Sequence, residues 1–165
     1  DASSTRGDIQ DAFTEMVDIL PTLVSWIGGD VPNAVDGRSL LPLVHGRRPA
    51  DWRDALHYEF DFRETPGSNA EKELGLTMDE CSLCVLQDAA FKYVHFAALP
   101  PLLFDLSADP HHFHDLAGDP AYAGVVRDYA QRMLSWRMRH ADRTLTHFRA
   151  TPGGLQMRAQ RPGDQ

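Results

Sequence analysis

The sequence predicts an α+β chain: a four-stranded antiparallel sheet covered by one long C-terminal helix. Three observations carry that expectation. Apolar and polar residues alternate from Trp52 to Phe62, three short apolar runs follow one another between Leu83 and Leu106, and an apolar stripe at helical spacing runs from Pro120 to His140.

Taken in order, Phe13, Met16, Val17, Leu20, Leu23, Val24 and Ile27 recur at helical spacing. Proline is tolerated only in a first helical turn, so Pro21 sets the start at Asp18 as N-cap and leaves Ile9 to Glu15 extended or loosely turned. Gly28-Gly29 ends the helix. Turn residues Asp36-Gly37-Arg38-Ser39 then precede a short apolar helix, Leu40-Leu41-Pro42-Leu43.

In the first strand Leu56, Tyr58, Phe60 and Phe62 share one face, and His57, Glu59 and Asp61 the other. Residues 63–80 combine Pro, Gly, Ser, Asn and acidic residues and read as a long exposed loop bordering a cleft or a partner subunit. Strands at Leu83–Gln87, Phe91–Phe96 and Leu102–Leu106 complete an antiparallel meander. Its cover is the helix from Pro120 to His140, with Asp119 as N-cap and Pro120 at the first position. Tyr122, Val126, Tyr129, Met133 and Trp136 form the core-facing stripe, which leaves Arg127, Asp128 and Arg132 for solvent.

Sixteen Lys and Arg against 24 Asp and Glu give a net charge of −8, which argues against nucleic acid as a partner. No apolar run approaches the roughly 20 residues of a membrane span. The chain opens Asp1-Ala2-Ser3-Ser4-Thr5, with neither an initiator Met nor a basic-then-apolar leader, and reads as a piece of a longer protein. A cytoplasmic compartment is expected.

Residue types with chemical potential are few. Cys81 and Cys84 stand in a C-x-x-C spacing inside a strand-like run, which points their side chains to opposite faces and predicts two packing thiols. His111-His112-Phe113-His114-Asp115 has metal-ligand residue types, but the turn at Asp109-Pro110 keeps adjacent imidazoles from converging, so no specific metal is expected. There is no G-x-S-x-G elbow, phosphate-cradling loop or H-E-x-x-H. A stand-alone binding module with an aromatic sheet face, or a small metal protein built on Cys81, Cys84 and the histidine run, are the alternatives.

Two successions of residues point further. Asp18-Ile19-Leu20-Pro21-Thr22-Leu23, Gly28 and Asp36-Gly37-Arg38-Ser39-Leu40-Leu41-Pro42 resemble the segment that follows the catalytic core in sulfatases. Phe91-Lys92-Tyr93, Leu103-Phe104-Asp105-Leu106, Asp109-Pro110 and Asp115-Leu116-Ala117 resemble the sulfatase ending. Tyr93-Val94-His95-Phe96, Leu99-Pro100-Pro101 and the run Ser135 to Thr146 look most like the phosphonate monoester hydrolase branch of the sulfatase and alkaline-phosphatase superfamily. His112 replaces the usual Glu of that ending, and Asp115 the usual Asn.

The resemblance implies a parent hydrolase of phosphate, phosphonate or sulfate esters, with a divalent metal and a formylglycine nucleophile made from Cys or Ser in a C/S-x-P-x-R setting. That pentad is absent here, as is any Asp-His dipeptide, so no catalytic residue is assigned to this chain. Residues 1–50 become the trailing part of a larger catalytic α/β domain, residues 51–149 a sheet-plus-helix subdomain, and residues 150–165 a flexible tail. The implied partners are the missing N-terminal catalytic domain and further copies of the chain. Contacts to them are expected from the 63–80 loop and from the stretch after Asp142, through Arg63, Leu74, Leu76, Arg143, Leu145, His147 and Phe148. Tyr58, Asp61 and Arg63, where the first strand enters that loop, are the candidates for the rim of a substrate cleft.

Overall fold

The computed structural model describes residues 5–32, 35–64, 69–140 and 148–157. The chain divides into two compact units, one of residues 1–52 with 137–165 and one of residues 53–136.

The second unit holds the expected sheet. Strands β1 (Leu56–Asp61), β2 (Ser82–Gln87), β3 (Phe91–Phe96) and β4 (Leu102–Asp105) pair antiparallel in sequence order. Helix α4 (Ala123–His140) lies on one face, introduced by a 3-10 turn at Pro120–Tyr122 whose N-cap, Asp119, accepts a hydrogen bond from the Ala121 amide at 2.9 Å. Register puts Tyr93 opposite both Leu86 and Leu103, and these three meet Tyr129 and Met133 of α4 in one core with Ala55 and Cys84. Leu86, Tyr93 and Leu103 are fully buried, which stabilises the unit by about 1.5–3 kcal/mol for each large apolar side chain. Phe91 meets Tyr122 and Tyr129 edge to face at 6.3 and 5.8 Å.

The apolar positions of β1 face away from α4. Tyr58 pairs with Val85 and Phe60 with Leu83, on the face opposite Cys84 and Leu86, and both aromatics are about half exposed. The face of β1 under the helix carries His57, whose ring stacks on Trp136 at 4.4 Å.

Two expectations are corrected. Residues 63–80 are not a structureless loop, because they contain a helical turn, α3 (Ala70–Glu73), and a 3-10 turn at Met78–Glu80. Local bonds hold the latter: the Thr77 amide and hydroxyl both donate to the Glu80 carboxylate, at 2.7 and 2.8 Å, so it forms without a core. The stretch read as a tail contains a hairpin of β5 (Phe148–Thr151) and β6 (Gly154–Met157). Pro152-Gly153 is its turn, and Gly154, which opens β6, has a φ of 104° that favours glycine.

In the first unit a 3-10 turn at Met16–Asp18 leads into α1 (Ile19–Trp26), and α2 (Leu41–Val44) follows. Asp18, fully buried, accepts hydrogen bonds from the Glu15 amide and, twenty residues on, from the Arg38 amide, each at 2.8 Å. Thr22 repeats the device one turn later, donating to the Asp18 carbonyl at 2.6 Å and accepting from the Leu40 amide at 2.8 Å. The two segments come so close that a Cβ on Gly37 would sit 2.0 Å from the Val17 carbonyl oxygen. Beside them Ala12, Leu43 and Trp52 form a small core, and the Trp52 indole donates to the Phe13 carbonyl at 2.9 Å.

Candidate functional site

The proposed cleft rim does not converge. Tyr58 and Asp61 are three residues apart on β1 and therefore point to opposite faces of the sheet. Asp61 and Arg63 do meet: the Arg63 amide and Nε donate to the Asp61 carboxylate at 3.0 and 2.7 Å, and Asp79 lies 3.9 Å from the guanidinium. The hydrogen bond from Arg63 holds the Asp61 carboxyl below its ordinary range, and the same pair raises Arg63. Arg63 is thus already engaged by a carboxylate, a shape suited to closing the strand end more than to gripping an anion. Leu74 is half exposed on the following segment. Arg143, Leu145 and His147 lie outside the described residues, and of Phe148 only the backbone is described.

Cys81 and Cys84 are both buried thiols, not joined in a disulfide. The Cys81 thiol donates to the Thr77 carbonyl at 3.3 Å and the Cys84 thiol to the Glu59 carboxylate at 3.4 Å, so each thiol has its own partner. Burial, reinforced by the nearby charge of Glu71, pushes the Cys81 thiol up, which disfavours the reactive thiolate. In the histidine run His112 adopts a left-handed backbone (φ 60°) beside Phe104, while the His114 amide donates to Asp109 at 2.8 Å. Among the described residues no group of three or more His, Cys, Asp or Glu is placed to hold a metal ion, so the residues present do not fit the divalent cation that the resemblance implies.

The dense polar centre is one that the sequence reading passed over. Asp88, in the turn between β2 and β3, accepts from the Ala90 and Phe91 amides at 2.9 and 3.0 Å through one oxygen. Its other oxygen accepts from the Tyr129 hydroxyl and from Arg132, both at 2.7 Å. Arg132, assigned to solvent from its place on the helix wheel, is instead paired, and its guanidinium lies 4.7 Å from the centre of the Tyr129 ring. Burial opposes ionisation of Asp88, but the four hydrogen bonds outweigh it and hold the carboxyl below its usual range. The Tyr129 phenol is pushed up to about 12, by burial first and by its bond to Asp88 second. A carboxylate saturated by four donors has no lone pair aimed at a reaction. Asp88 fixes α4 to the β2–β3 hairpin. A signal existed in the sequence: Tyr129 and Arg132 are one turn apart on the face that a turn carboxylate would meet.

The family described as N-sulphoglucosamine sulphohydrolase, C-terminal, matches residues 2–139. The chain belongs to this family. Among relatives of this sulfatase C-terminal domain, the multifunctional alkaline phosphatase superfamily protein PehA of Trinickia caryophylli is 58% identical over 160 residues, covering 96% of this chain and 31% of its own length. The phosphonate monoester hydrolase of Agrobacterium radiobacter superposes with a TM-score of 0.79 at 43% identity, over 92% of this chain and 30% of that one. The enzyme SpPMH of Silicibacter pomeroyi gives 0.78 at 39% identity, over 89% and 29%. The chain thus spans about a third of the length of these relatives.

Within this domain, the residues that carry the resemblance have a physical use. Asp18 and Thr22 are the acceptors that bind Arg38 and Leu40, and Gly37 is the position where a side chain would collide. Asp115 acts likewise at the far end, with one carboxylate oxygen accepting from the Leu103 and Ala117 amides at 2.9 Å each. Asn offers the same oxygen, so Asp in place of the usual Asn keeps both bonds.

Proposed function

We propose that this chain is the C-terminal domain of a hydrolase of phosphate, phosphonate or sulfate esters, in which it serves as scaffold and not as catalyst. The observation that carries the reading is the superposition on a phosphonate monoester hydrolase over 92% of the chain at 43% identity. Saturation of Asp88 and Asp18 by backbone and side-chain donors supports the structural role, since neither carboxylate retains the freedom a general base needs.

On this reading the divalent metal and the formylglycine nucleophile belong to the part of the polypeptide outside these 165 residues. A phosphonate or phosphate monoester or diester is the preferred substrate class, because the two solved structures with TM-scores near 0.8 are phosphonate monoester hydrolases. The partners are the catalytic domain of the same polypeptide and further copies of it, reached through the 63–80 segment. The compartment is the cytoplasm. No helix among the described residues is long and apolar enough to cross a membrane.

The test is to assay this chain, and the gene product that contains it, against p-nitrophenyl phenylphosphonate, phosphate and sulfate with added Mn²⁺ or Zn²⁺. The longer product should turn over at least one ester and this chain none above buffer. Turnover by this chain alone, surviving further purification, sinks the scaffold role.

A further inference from the structure

No further inference is drawn: the strongest candidate, the half-exposed aromatic patch of Tyr58 and Phe60 on the face of the sheet opposite α4, is an apolar surface for which nothing in the structure shows what covers it.

Discussion

Helix α4 and helix α1 are built on the same principle and used in opposite ways. On α4 the apolar stripe of Tyr129 and Met133 is buried on the sheet and the polar groups that accompany it, Arg132 and the Tyr129 hydroxyl, find Asp88 at the margin of that core. On α1 the polar stripe is buried and Leu23, Trp26 and Ile27 stay outside. Under α4 the sheet unit thus buries its apolar stripe and pairs the polar groups beside it, whereas α1 pairs its polar stripe and leaves its apolar one outside. Amphipathicity states that a helix has two faces. Which face lies inward depends on what the neighbouring segments offer.

This contrast is open to perturbation, beginning with the largest effects. Leu103→Ala, in the closed sheet core, should lower stability by about 3–4 kcal/mol, read as a shift in the urea midpoint. A loss under about 1 kcal/mol would mean that the core is not shared between sheet and helix. Gly37→Ala should cost about 3 kcal/mol, since its Cβ meets backbone and not a movable side chain. Circular dichroism melting would show whether α1 is released.

Asp88→Ala should cost about 2 kcal/mol by stranding Arg132 and the Tyr129 hydroxyl. Its ionisation also gives a pH signature. Because the folded carboxyl titrates below the unfolded value, its contribution is present above about pH 4 and disappears as pH falls through the folded pKa. Tyr129 has the opposite sign: its raised pKa contributes below about pH 10 and is lost as pH climbs towards 12. Tyr129→Phe should flatten the alkaline limb of a stability-versus-pH curve, and an unchanged limb would remove Tyr129 as its origin. The smallest effect belongs to the outward stripe. Leu23→Gln in this chain should change stability by less than about 0.5 kcal/mol and raise solubility. A larger loss would show that α1 is already covered.

Much of the sheet unit was legible because its signals are local. Phe91–Phe96 is a strand with the bounds its alternation gives, and Asp119-Pro120 starts the covering helix as a cap followed by a proline predicts. The Thr77-to-Glu80 capping box and the Pro152-Gly153 turn were equally local, yet they lay in segments poor in core residues, and composition hid them. The rim candidates Tyr58 and Asp61 share a strand but not a face, and pairing takes Arg63 to Asp61, neither of which spacing along the chain records.

By itself the sequence determined the α+β class, the four strands and the long helix, since each rests on periodicity within about twenty residues. The runs Asp18 to Leu23 and Asp36 to Pro42 also carried the resemblance to sulfatases, which the match over residues 2–139 bears out. Only the tertiary structure decided which face of each element is inside. It turned the apolar side of β1 from the helix, drew Arg132 to a carboxylate 44 residues away and set α1 with its polar stripe inward. Those choices depend on hydrogen bonds between residues distant in the chain, and the spacing of apolar residues carries no record of where a distant backbone amide will lie.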